Sequence, residues 1–132
     1  MTALAPYFLF PGTARDALTF YASVFGGTLV LNTFGEFSRT DGPADAIAHG
    51  MLQGPVELFA ADAGDGDTPA HIEGMHFSLL GTADPDTLYR WFAGLSVGAT
   101  KVDELQQRPW GDYDGTLTDR YGVPWLIGYQ VG

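Results

Sequence analysis

The 132 residues predict an α+β fold made of two copies of one strand-helix-strand-strand-strand module. Two observations carry that expectation. Apolar residues recur at helical spacing in two short stretches, each followed by strand-like runs. The two stretches also align, Asp16-Ala-Leu-Thr-Phe-Tyr-Ala holding the place that Asp86-Thr-Leu-Tyr-Arg-Trp-Phe-Ala holds in the second half. A repeat of about half the chain is too long for a solenoid unit and reads as a duplicated module. The modules fall at about 1–61 and 74–132 of a single domain, 1–132. Their strands are expected to form a curved mixed sheet, helices outside, around a trough suited to a small molecule.

Each element has its own signal. Pro6 to Phe10 is a short apolar run stopped by Pro11-Gly12, a strand and then a turn. Thr13 is the expected helix N-cap, with Asp16 in the first turn. Ala17, Leu18, Tyr21, Val24 and Phe25 form one apolar stripe that ends at Gly26-Gly27. Thr28 to Phe34 reads as a strand, residues 38–45 as a polar loop, and Ala46 to Leu52 with Pro55 to Ala61 as a hairpin hinged at Gln53-Gly54. Residues 62–73 are acidic and polar, the longest candidate connector. The pattern then begins again with a strand at Met75 to Leu80. Asp84-Pro85 is a cap followed by proline at the first helical position, and Leu88, Trp91, Phe92 and Leu95 form the second stripe. Thr100 to Leu105, Gly115 to Thr118 and Pro124 to Gln130 are the remaining strands.

Composition bounds the function. Hydrophobic residues make up 45% and charged residues 17%, enough apolar material for a core without staples. Six Lys and Arg against sixteen Asp and Glu give a net charge of -10, which disfavours nucleic acid and anionic membranes as partners. No cysteine is present, so disulfides, thiolate zinc sites and cysteine nucleophiles are excluded together. Met1 to Leu9 lacks the basic start and apolar run of a secretory signal. No stretch approaches the ~20 apolar residues of a membrane helix. A soluble, acidic, cytoplasmic protein is expected.

Few side chains within strands can do acid-base or metal chemistry: His49, Glu57 and His76, with Asp112, Asp114 and Asp119 in the turn-rich segment near the end. A histidine on a strand is as readily a packed or edge residue as a ligand. Glu57 lies between Val56 and Leu58, where an ionised carboxylate needs a partner if its face is buried and none if it faces outward. The loop from Asp62 to Glu73 fails as a calcium loop, because Gly64 and Gly66 stand where oxygen ligands are needed and Asp67 where glycine is needed. No glycine-rich phosphate cradle precedes a helix and no G-x-S-x-G elbow exists, so nucleotide and acyl-transfer chemistry have no support.

The most specific stretch is Trp110-Gly-Asp-Tyr-Asp-Gly-Thr-Leu-Thr-Asp-Arg-Tyr-Gly-Val-Pro-Trp125. It resembles the closing motif of the vicinal oxygen chelate superfamily (glyoxalase, bleomycin resistance protein, dioxygenase), in which Asp-x-x-Gly makes the last hairpin turn. More closely the chain resembles the PhnB-like branch, some of whose members carry the label 3-demethylubiquinone-9 3-methyltransferase domain. The likeness continues through Pro6-Tyr-Phe-Leu-Phe-Pro-Gly12, Ala17-Leu-Thr-Phe-Tyr21, Phe25-Gly-Gly27, Phe34-Gly-Glu36 and Ile47-Ala-His49, nearly the whole chain. It implies a glyoxalase-like fold and a homodimer. The methyltransferase label implies no mechanism here, since no cofactor-binding glycine turn is present.

Catalytic members of that superfamily hold a divalent metal with four side chains. The resemblance places those positions at or near Pro6, on Glu57, at Met75 or its neighbour His76, and at about Leu126. Pro6 and Leu126 carry no donor atom, so no metal or other cofactor is expected. Three classes of function stay open. The first is a homodimer that binds a small molecule without a metal, either a sequestering protein or an enzyme with His49, Glu57 or His76 as acid or base. The second is a metal-dependent lyase, isomerase or dioxygenase, and the third a structural or partner-binding domain whose trough its own aromatics fill. The expected ligand wall is Phe8, Phe10, Phe59, Phe77, Trp110 and Trp125, with the four phenylalanines sharing a face with Glu57. Such a wall favours a flat or apolar ligand, neutral or cationic, over an anion.

Overall fold

The computed structural model describes residues 4–131. They form two compact units, one reaching Ala70 and the other beginning at His71. The first contains β1 (Tyr7–Phe10), α1 (Ala14–Phe25), β2 (Thr28–Thr33), β3 (Ile47–Gln53) and β4 (Leu58–Asp62). Its sheet runs β1-β4-β3-β2, with β1 parallel to β4 and β3 antiparallel to both neighbours. The second contains β5 (Phe77–Leu80), α2 (Pro85–Ser96), β6 (Lys101–Gln107), β7 (Tyr113–Thr118) and β8 (Pro124–Tyr129), in the order β5-β8-β7-β6. The duplication is thus two four-stranded mixed sheets of one topology, one per unit. Among the described residues no helix is long and apolar enough to cross a membrane.

The apolar stripes become the unit cores. On α1 the buried residues are Ala14, Ala17, Leu18, Tyr21 and Phe25. Val24, expected with them, is only half-buried. The helix packs on β2, β3 and β4, and each large apolar side chain so covered contributes roughly 1.5–3 kcal/mol. Gly50 allows the close seat, because a Cβ there would lie 2.5 Å from Leu18 Cδ1. On α2 the whole expected stripe of Leu88, Trp91, Phe92 and Leu95 is buried.

The helix starts are built differently. Asp84 caps α2 as expected, its Oδ1 accepting the Thr87 N–H at 2.9 Å. Thr13 precedes α1 but its side chain makes no cap hydrogen bond. Asp62 does that work from a distance: Oδ1 accepts the Ala14 N–H at 2.9 Å and Oδ2 accepts the Ile47 N–H at 2.8 Å. The sequence groups Asp62 with the acidic connector. In the structure it is the last residue of β4 and is buried, a carboxylate on a helix N-terminus whose dipole favours it.

Asp119 organises the β7–β8 hairpin. It is fully buried, and Oδ1 accepts the N–H groups of Tyr121 and Val123 at 2.8 and 3.1 Å while Oδ2 accepts the Trp125 indole N–H at 2.9 Å. Gly122, at φ +83°, closes the turn by donating to the Asp119 carbonyl. This is the Asp-x-x-Gly turn that the resemblance implies.

Candidate functional site

The first sheet has one face on α1 and one turned from it. Directly paired residues share a face. Phe8, Ala60 and Gly50 pair across β1, β4 and β3 on the side that meets Leu18. Tyr7, Phe59 and Met51 pair on the other side, as does His49 with Asn32.

On that second face three rings form a plate. Tyr7 stacks on Phe59 with centroids 6.1 Å apart and planes 6° from parallel, and His49 lies 5.9 Å from Phe59 and 5.6 Å from Tyr7. The Tyr7 hydroxyl and His49 Nδ1 are hydrogen-bonded at 3.0 Å. With the proton on Nε2 the phenol donates to Nδ1, and the Nε2–H is left as a polar handle. Burial pushes the Tyr7 phenol above its ordinary pKa, while the positive charge of Arg39 pulls it the other way. Arg39 itself is clasped by Asp41, at 2.9 Å from Nε and 2.6 Å from a terminal nitrogen, and lies 3.9 Å over the Phe34 ring. Tyr7 remains 49% exposed, so the plate is accessible.

Within the first unit this register divides the expected aromatic wall. Phe8 and Phe10 are buried on the α1 face, opposite Phe59, and so do not share its face. Glu57 precedes β4 and is exposed. Phe77 is half-buried in the second unit, its ring 6.0 Å from that of Trp125, which is 1% exposed with its N–H committed to Asp119. Trp110 stands 69% exposed in the turn between β6 and β7. His76, just before β5, is exposed beside a shallow depression that Lys101, Asp103, Thr116 and Thr118 also line. Of the candidates, the structure joins His49 and Phe59 in one cluster, and adds Tyr7. Alternation along β1 sets Tyr7 against Phe8. Only the pairing with β4 tells which of them joins Phe59.

Pro6 and Leu126 offer no ligand atom. Among the described residues no group of three or more His, Asp or Glu side chains is placed to hold a metal ion.

Comparison with known proteins agrees with this architecture. Residues 3–127 match the family model of the Glyoxalase/Bleomycin resistance protein/Dioxygenase superfamily. Protein YjdN of Escherichia coli K12 is 27% identical, over 94% of this chain and 92% of its own length. Protein PA1353 from Pseudomonas aeruginosa superposes with a TM-score of 0.80 at 29% identity, covering 98% of both chains. A PhnB protein from Bacillus cereus superposes with a TM-score of 0.77 at 19% identity, over 97% of this chain and 99% of its own.

Proposed function

This chain belongs to the Glyoxalase/Bleomycin resistance protein/Dioxygenase superfamily, and on that premise we propose that it is a PhnB-like, cytoplasmic homodimer that binds a small molecule without a catalytic metal. The observation that carries the reading is the Tyr7–His49 hydrogen bond set on the Phe59 ring. It supplies a flat apolar surface with one polar handle, the combination typical of small-molecule sites. The ligand is a flat organic molecule, neutral or cationic, that stacks on the plate and bonds to the His49 or Tyr7 edge. Anions are disfavoured by the net charge of -10. Self-association is supported by apolar side chains left exposed, Phe37, Met75, Leu80 and Val102 among them.

Calorimetric screening of flat neutral, cationic and anionic aromatics against the wild type, Tyr7→Phe and Phe59→Ala tests the reading. Saturable binding that weakens in both variants is the expected result. Failure of every neutral and cationic aromatic to lose affinity in the two variants, or a preference for anions, would overturn it. Light scattering is expected to give twice the mass of one chain. Elemental analysis is expected to find no stoichiometric zinc, nickel or iron.

A further inference from the structure

A separate cleft lies wholly within the second unit and involves none of Tyr7, His49 and Phe59. A cleft of about 440 Å³ opens among Leu80, Trp110, Asp112, Asp114, Tyr113 and Tyr129, inside the ~300–1,000 Å³ range of small-molecule pockets. Its aromatic part is fixed in place. Tyr113 and Tyr129 stack at 4.8 Å and 8°, and Tyr89 closes on Tyr129 edge-on at 6.4 Å. Trp110 rides on a tight turn in which the Gly111 N–H bonds the Arg108 carbonyl at 2.9 Å and the Arg108 N–H bonds the Asp112 carbonyl at 2.7 Å. An indole held out to solvent at 69% exposure, beside a stacked tyrosine pair, is a costly arrangement for a surface with nothing to bind.

The charge of the cleft selects the ligand. Its lining includes the carboxylates Asp112 and Asp114 and no Lys, Arg or His. Arg108, which reaches the lining residue Asp114, is spent on two partners, donating from Nε to Asp114 Oδ1 at 2.7 Å and from a terminal nitrogen to Asp103 Oδ2 at 2.8 Å. The guanidinium thus pairs with Asp114 and Asp103, and Asp112 has no cationic partner in the cleft lining. Tyr129 adds no anion at neutral pH, since burial and the neighbouring Tyr89 raise its phenol above the ordinary value. Aromatic faces and the Asp112 carboxylate both attract a cation whose charge is spread over an apolar body.

We propose that this cleft binds an organic cation, a tertiary or quaternary ammonium on a small apolar or aromatic body, with the ammonium between the Trp110 ring and the Asp112 carboxylate. The probe is benzyltrimethylammonium, with benzyl alcohol and benzoate as neutral and anionic controls. Titration is followed by calorimetry and by the N-methyl proton resonance, which the aromatic rings shift upfield. The expected result is saturable binding of the cation alone, weakened about tenfold in Trp110→Ala and clearly weakened in the isosteric Asp112→Asn, both variants melting as the wild type does. Binding that persists in Phe59→Ala separates this cleft from the first-sheet plate. Equal binding of benzyl alcohol or benzoate, unchanged affinity in Trp110→Ala, loss only in Phe59→Ala, or no saturable binding at millimolar probe would each overturn the proposal.

Discussion

Asp62 Oδ1 accepts the backbone N–H of Ala14 at 2.9 Å, so the last residue of β4 caps a helix that begins 48 positions earlier in the chain. Its other oxygen holds Ile47 at the start of β3. One buried carboxylate therefore ties three elements of the first unit together.

Asp62→Ala strips both acceptors and leaves two N–H groups unsatisfied in the interior. A loss of about 2–4 kcal/mol in unfolding free energy is expected. Urea denaturation measures it. A loss under about 0.5 kcal/mol, the scale of an ordinary surface change, would show that the cap is dispensable.

Trp125→Phe keeps an aromatic ring in the core but removes the indole N–H from Asp119. Hydrogen bonds to charged groups contribute about 1.5–3 kcal/mol, and the smaller ring adds a cavity cost. The variant should melt several degrees lower, as calorimetry would show, and an unchanged melting temperature would contradict the role given to that bond.

Gly128 lies at the centre of the second sheet, where a Cβ would collide with the Tyr113 carbonyl oxygen and come within 2.8 Å of Asp114 Cα. Both obstacles are backbone and cannot rotate away. Gly128→Ala should force β7 and β8 apart at a cost of at least about 2 kcal/mol. Hydrogen exchange of the β7 and β8 amides reads the effect directly. Wild-type protection in the variant would show that the sheet has room to spare.

Asp84 and Asp41 shape the response to acid. Hydrogen bonds from Thr87 hold the Asp84 carboxyl below the usual carboxylate range, and the Arg39 guanidinium does the same for Asp41. A group lowered in the folded state contributes stability that is present above its unfolded value and lost as pH falls through its folded one. Stability should therefore decline on acidification below about pH 4. Asp84→Asn, which keeps a cap but has no charge to lose, should decline less over that window. Identical acid profiles for the two proteins would rule Asp84 out as a contributor.

How much of this was legible in the sequence depended on how local each signal is. The α2 stripe and its Asp84 cap are contained in twelve consecutive residues and their neighbour, and they emerge as expected. The Asp119 turn is equally local. The faces of β1 are not. Tyr7-Phe-Leu-Phe10 is apolar at every position, so alternation marks no inward side. The choice is made by a parallel pairing with β4, about fifty residues away, where a slip of one residue exchanges the faces. Phe8 and Phe10 consequently fall in the α1 core, and Tyr7 takes the place beside Phe59. The Asp62 cap was hidden for the same reason, since its donors are contiguous with it only in space.

The strand orders β1-β4-β3-β2 and β5-β8-β7-β6 carry a consequence for how the chain assembles. In each unit the strand made last fills an inner slot, and the strand made first sits at the edge beyond it. During synthesis β1 and β5 have no partner until β4 and β8 leave the ribosome, so each half must wait as an open hairpin with its helix half-covered. Closure of such distant contacts is slow relative to local ones, and insertion of the late strand completes two ladders at once. Each half should accordingly lock in one cooperative step rather than strand by strand.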